Sequence, residues 1–293
     1  MKSEYTAEFR FYGELNDFLA PAQRKQTRLY RFSGHPGIKD PIEVFGVPHT
    51  EVELIIVNGQ SVGFDYQLQA GDRVAVYPVF ETLDIGSLIR LRDKPLRNLR
   101  FILDTNLGKL AKRMRLLGFD SLYRNDYQDA EVVNSAVNEQ RIVLTRDRRL
   151  LYAKQISHGY WVRAVAADIQ LDEVLRRFDL YGSIHLFARC LVCNGLLVSV
   201  AKADILEYLE PKTRLYYEVF KQCADCRRIY WEGSHMTNMR QLIAGLPALR
   251  KVSGISGTSG SRRNGWQQTL FQTKPCCLIA LRLKSKIIEL FNV

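Results

Sequence analysis

No run of about 18 consecutive apolar residues, the length a membrane-spanning helix needs, occurs among these 293 residues. The opening stretch MKSEYTAEFRFYGELNDF also lacks the charged-then-apolar layout of a secretory leader. The expectation is a soluble, cytoplasmic protein with no membrane partner. Histidine is scarce. Of five in the chain, His35, His49, His158 and His185 show no mutual spacing that suggests a site, and His235 is left open. Cysteine is scarce too, with six residues, of which four form the pairs Cys190/Cys193 and Cys223/Cys226. Two C-x-x-C pairs without a secretion signal point to metal before disulfide. Acids are outnumbered as well, leaving a formal net charge of +11. A basic balance invites nucleic acid as a partner, but its distribution matters. From Arg250 to Val293 there are eight Lys and Arg against the single acid Glu289, whereas residues 97–155 hold twelve basic and seven acidic residues. The second, local excess is the more informative one.

What is present is enough for folded domains: apolar residues make up 46% of the chain. Residues 4–80 alternate as strands in YTAEFRFYG and TRLYRFS, and carry Ile38, Ile42 and Phe45 at helical spacing. A strand, a tight Asn58-Gly59 turn and another strand follow, and GDRVAVYPV closes the unit. Strand, strand, helix, strand, strand suggests a β-grasp, ubiquitin-like domain over 1–82. The stretch VNGQSV to YPVF resembles the sulfur-carrier branch of that superfamily. Those carriers end in a free Gly-Gly, whereas this unit runs on through YPVFETLD, so it offers no carboxylate to activate.

Beyond a charged connector the pattern becomes strand, helix, strand, helix over 97–181. LRFILD reads as an apolar strand ending at Asp104. It feeds a helix in which Leu107, Leu110, Ala111, Met114 and Leu117 form the apolar face, leaving Lys109, Lys112, Arg113 and Arg115 outside it. DAEVVNSAVNEQ reads as a helix with Val132, Val133, Ala136 and Val137 inward, RIVLT as the next strand, WVRAVA as another, and IQLDEVLRRF as a further helix. Such alternation implies a parallel sheet covered on both faces, with functional residues at the carboxyl ends of its strands.

Asp104 ends one strand and Asp147 closely follows another, with Asp129 opening the helix between them. Three carboxylates converging at one sheet edge would repel one another unless a divalent cation neutralised them. Mg²⁺ or Mn²⁺ held there can activate water for phosphodiester cleavage. Lys109, Lys112, Arg113, Arg146, Arg148 and Arg149 are then placed to grip a polynucleotide backbone. Each residue also has a plainer reading. Asp129 is an N-cap candidate, Asp104 can cap the turn after it, and Asp147 can pair with Arg148 or Arg149 at the surface.

The cysteines speak more strongly than any single carboxylate. Cys190, Cys193, Cys223 and Cys226 supply four thiolates in two paired turns, the set a structural tetrahedral Zn²⁺ requires, and they leave no open position for catalysis. A zinc ribbon over 182–245 follows, with Trp231 packing it and Arg227, Arg228 and Tyr230 candidates either to pack it or to meet bases and phosphates, and a basic tail over 246–293 that begins in a flexible Gly/Ser stretch.

RFILDTNLGKLAKRMRLLGFDSLY, DAEVVNSAVNEQRIVLTRDRRLL, RCLVCNGLL and FKQCADCRRIYWEGSHMTNM together resemble the mut-seven C-terminal ribonuclease family of PIN-like nucleases, over roughly residues 97–243. That family is frequently fused to an N-terminal ubiquitin-like domain. The resemblance implies a metal-dependent ribonuclease whose acids map onto Asp104, Asp129 and Asp147, with Glu131 the nearest substitute for Asp129 and Asp168 a fourth acid. Two rival readings stand beside it: a non-catalytic RNA-binding module built from the ribbon and the basic helix, and an adaptor whose β-grasp surface docks a protein partner.

Overall fold

Alternation in Tyr5–Phe11 (β1) drives Ala7, Phe9 and Phe11 into one core and leaves the residues between them exposed. A computed structural model describes residues 4–78 and 99–231; the connector, His235 and the tail fall outside the described residues. β1 pairs antiparallel with Arg28–Phe32 (β2) and parallel with Arg73–Tyr77 (β5). β5 also pairs with Leu54–Val57 (β3), which turns through Asn58 and Gly59 into Gln60–Val62 (β4). Both turn residues have positive φ, 52° and 87°, as a two-residue hairpin requires. The sheet order β2-β1-β5-β3-β4, with Lys39–Val44 (α1) burying Ile42 on one face, is the expected β-grasp.

The second sheet is wholly parallel, in the order β7-β6-β8-β9. Its strands are Arg100–Leu103 (β6), Asp120–Leu122 (β7), Ile142–Thr145 (β8) and Gly159–Trp161 (β9). Phe101, Leu103, Ile142 and Leu144 face Gly108–Leu116 (α2) and Ala167–Arg177 (α4), while Ile102 and Val143 face Asp129–Asn138 (α3). Both faces are covered, so the strands read as continuous apolar runs.

Four local expectations need correction. β7 was not anticipated, because Asp-Ser-Leu carries almost no strand pattern. β9 lies at Gly159–Trp161 and not over WVRAVA. Val137 is exposed at the far edge of α3. Arg115, expected outside the apolar face of α2, is buried.

Leu197–Val200 (β10), Phe220–Cys223 (β11) and Ile229–Trp231 (β12) form an antiparallel ribbon. The long spacing between the cysteine pairs is occupied by a 3₁₀ turn at Lys202–Tyr208 and a short helix, Pro211–Tyr216 (α5). Trp231 packs on Tyr217 and Phe220, which bears out the packing role expected of it.

The β-grasp and α/β units meet along a polar turn, His49–Glu51. Nε2 of His49 approaches the Ile156 carbonyl at 2.9 Å, Thr50 donates to the Leu151 carbonyl, and the Trp161 amide donates to Glu51. Gly159 permits this approach, since a Cβ there would lie 2.5 Å from Leu151 and 3.3 Å from Thr50. Glu51 is fully buried, and burial raises its carboxyl to about 7 even though Arg177 and Arg163 oppose the shift. A carboxyl raised in the fold costs stability as pH climbs from its unfolded value toward 7. Glu51→Gln is therefore expected to melt with wild type near pH 4.5 and above it at pH 8, by about 3 kcal/mol at most. Thermal melts of both proteins across that range check it, and a constant difference would remove the assignment.

Candidate functional site: an acidic sheet edge and a four-cysteine cluster

β6 and β8 lie side by side and parallel, so Asp104 and the turn after Thr145 emerge at the same carboxyl edge. Asp104 is buried. Its Oδ1 accepts the Thr105 amide at 2.6 Å, so it does cap the turn that follows, and its Oδ2 accepts the Thr145 hydroxyl at 2.9 Å. Thr145 Oγ1 in turn accepts the Asp147 amide at 2.8 Å, and Asp147 Oδ1 accepts the Arg149 amide at 2.8 Å. One hydroxyl thus ties the two acids together. The Asp147 side chain is exposed, and among the described residues no Lys or Arg side chain pairs with it, so the surface ion pair is not its role.

Asp129 is the first helical residue of α3 and is exposed. Its N-cap reading is corrected: Gln128 occupies the cap, and Glu131 closes a capping box by accepting the Gln128 amide at 3.0 Å. Asp168, near the start of α4, accepts Arg113 Nε at 2.7 Å. Oxygens of Asp104, Asp129 and Asp147 do not form a set lying within 4.8 Å of one another; among the described residues only the four cysteines do so. Tyr123, beyond β7, was missed by the sequence reading. Its hydroxyl donates to the Thr105 carbonyl at 3.0 Å and stacks over Gly108, where a Cβ would come within 2.5 Å of it.

The basic residues divide. Lys109, Lys112, Arg146 and Arg149 are exposed, and Arg113 is engaged by Asp168. Arg148 departs from the expectation of a phosphate contact. Its guanidinium lies 3.9 Å from the Trp161 ring centroid and 5.2 Å from that of Phe18, and it donates to the Asp17 carbonyl at 3.1 Å.

At the opposite, amino edge of the sheet sits the cysteine cluster. Cys190 and Cys226 Sγ are 3.6 Å apart, and Cys193 and Cys223 Sγ 3.4 Å. A zinc ion bound at about 2.3 Å in a tetrahedron needs sulfurs about 3.8 Å apart, whereas a disulfide needs about 2.05 Å, so the cluster fits the metal. The two knuckles repeat one backbone pattern. Asn194 and Arg227 follow the second cysteines with φ of 72° and 60°, and their amides donate to Cys190 and Cys223 carbonyls. Cys190 and Cys223 amides donate in turn to Gly195 and Arg228. Burial would raise Cys190, but amides of its own knuckle and the Tyr230 hydroxyl, 3.0 Å from its sulfur, lower it to about 6; burial pushes Cys193 up to about 12.

Arg115 explains why it is buried: it donates to the Leu191 and Val192 carbonyls in the first knuckle and to the Ser121 carbonyl in β7. Asn194 accepts the Ser121 amide and donates to Asp120. Burial would raise Asp120, but hydrogen bonds from Arg141 and Asn194 hold it below the ordinary carboxylate range. Arg115 stands four residues after Ala111, so helical spacing already pointed it inward. Loss of this anchor is expected to be severe, since Arg115→Met removes the donor to four carbonyls, that of Tyr123 included, at a buried contact. The expected result is a fall of at least 2 kcal/mol in stability, read from urea unfolding with the cysteines loaded with zinc.

Fold and site together define a three-part chain: a β-grasp domain, a parallel α/β domain with acids at its carboxyl edge, and a ribbon carrying a metal-binding Cys₄ cluster. Comparison with family models is in agreement, since the Mut7-C RNAse domain matches residues 99–243 and the Mut7-C ubiquitin domain matches residues 4–84. The chain belongs to the Mut7-C ribonuclease family, with its ubiquitin-like domain at the front. Neither the curated proteins nor the solved structures give a match. No helix among the described residues is long and apolar enough to cross a membrane.

Proposed function

We propose that the chain is a PIN-like, metal-dependent ribonuclease that hydrolyses RNA phosphodiester bonds at its acidic sheet edge. The observation that carries this reading is the link from Asp104 through the Thr145 hydroxyl to Asp147, which joins the ends of two neighbouring parallel strands. Asp104, Asp147 and Asp129 would hold Mg²⁺ or Mn²⁺, which supplies an activated water and neutralises charge developing on phosphate. Full convergence of three carboxylates is not required, because Mg²⁺ commonly keeps several waters and takes one or two carboxylates plus substrate phosphate oxygens. Thr145 fixes the orientation of Asp104. Lys109, Lys112, Arg146 and Arg149 lie exposed to hold the RNA backbone, a contribution that weakens with salt. Zn²⁺ belongs to Cys190, Cys193, Cys223 and Cys226, with a structural role.

The division into domains at 1–82, 97–181 and 182–245, and action in the cytoplasm, are part of the same reading. A protein partner of the β-grasp domain is compatible with it. The separation of the three acids favours one rival, a non-catalytic RNA-binding module.

Cleavage of labelled single-stranded and structured RNA decides between them. Wild type should cut with Mg²⁺ or Mn²⁺ and not with EDTA, and a folded Asp104→Asn/Asp147→Asn double variant should not. Binding without cleavage, or equal cleavage by both proteins, would replace the nuclease reading with the binding one.

A further inference from the structure

Among the described residues the β-grasp domain touches the α/β domain through His49–Glu51, through the Gly46 carbonyl that accepts the Tyr152 hydroxyl, and through a turn that leads to the acidic edge. Between β1 and β2 the chain makes a 3₁₀ turn, Gly13–Phe18, stiffened by the buried Asn16, whose side-chain amide donates to the Phe11 and Gly13 carbonyls while its oxygen accepts the Lys25 amide. The turn presents Asp17 and Phe18 to the α/β domain. Asp17 Oδ2 accepts Arg163 Nε at 2.9 Å, and the Phe18 ring lies 5.4 Å from that of Trp161. Arg148, next in sequence to Asp147, is held between these groups by the Trp161 ring, the Phe18 ring and the Asp17 carbonyl.

We infer that Arg148 is a positioning residue through which the β-grasp domain sets the Asp147 turn for catalysis. The turn has two anchors. From inside the sheet, Thr145 ties it to Asp104; from outside, Arg148 ties it to Asp17 and Phe18. Asp147 itself is exposed, and among the described residues its carboxylate accepts the Arg149 amide from within the same turn, so its place depends on these two holds. A guanidinium suits the second hold, since its plane stacks on an aromatic ring while its N–H groups donate, which an ammonium cannot reproduce. The β-grasp domain is on this view a component of the catalytic centre. This deepens the ribonuclease reading and rests on it for its catalytic half.

The test uses the full chain loaded with zinc, and compares wild type, Arg148→Met, Arg148→Lys, Phe18→Leu and Arg146→Gln. Phe18→Leu keeps most of the side-chain volume and so serves if Arg148→Met folds poorly. Arg148→Met should lower kcat roughly 10–100-fold with KM within about threefold. Arg148→Lys should not restore it, and Phe18→Leu should show a smaller loss of the same kind. Arg146→Gln should instead raise KM. Independently of cleavage, amide hydrogen exchange over residues 145–149 should quicken at least tenfold in Arg148→Met and less in Phe18→Leu. A raised KM with unchanged kcat in Arg148→Met would make Arg148 a phosphate contact and overturn the inference, as would unchanged exchange over 145–149. A wild type that cuts no RNA would defeat the ribonuclease reading, and the exchange result would still decide whether Arg148 holds the turn.

Discussion

Cys223→Ser is expected to lose zinc and with it the ribbon. Structural zinc contributes on the order of 10 kcal/mol of apparent binding energy at neutral pH, and that energy is folding energy for the element it closes. Apolar packing in this ribbon is divided into two small clusters, Leu197 with Phe187 and Tyr230 beside the cysteines, and Ile205, Leu209 and Phe220 further along. Cys223 is completely buried, with its sulfur 3.4 Å from that of Cys193. Metal analysis should find one zinc per wild-type chain and close to none in the variant, and limited proteolysis should cut first within residues 189–231. Cys276→Ser, outside the described residues, is the matched control and should behave as wild type. A Cys223→Ser protein that keeps its zinc and its resistance would show that these four thiols do not form the metal site.

The second large effect is catalytic. Asp104→Asn should reduce kcat/KM by roughly 10³-fold or more, since a metal-held carboxylate supplies several kcal/mol of transition-state stabilisation and each 1.36 kcal/mol is tenfold. The fold should survive, because an amide oxygen can still accept from Thr105. Thr145→Val probes the same centre from one step away. It removes the donor to Asp104 and the acceptor for the Asp147 amide, and is expected to cost about 10–100-fold, the range for groups that orient metal ligands. The order of the two effects is the check, measured as kcat/KM at saturating Mn²⁺ with circular dichroism to verify folding. Equal, small losses in both would move the chemistry away from this edge.

The sequence was most readable where spacing is short and chemistry is rigid. Two C-x-x-C pairs, an Asn-Gly turn with positive φ at both positions and the 3.6-residue face of α2 each reduce to local rules, and each is present as expected. Asp104 and Asp147 were legible because an acid at the end of an apolar strand is conspicuous. Thr145 was in plain view in the same stretch and passed over, since its part depends on a neighbour 41 residues away. The plainer reading of Asp129, as an N-cap, fails because Gln128 makes a less familiar cap, completed by Glu131. The domain contact was hidden for a different reason: His49, Thr50 and Glu51 form a polar surface turn by every local criterion, and their burial comes from a domain more than a hundred residues away. Arg148 shows the same limit, as an arginine beside a candidate acid looks like a substrate contact until Phe18 and Trp161 are seen around it.

The wedge formed by His49–Glu51 determines what can be cut out of this gene product and still be handled. A fragment beginning at residue 99 would bare the Trp161 amide and the Leu151 and Ile156 carbonyls along β9 and the turn beside it, together with the face of Trp161 that packs into the β-grasp core. Such a fragment carries a freshly opened sheet edge, the kind of surface that recruits other chains. Expression and screening of the catalytic half in isolation would therefore select for precipitation, and shortened forms that stay in solution will be those that keep the turn from the front domain.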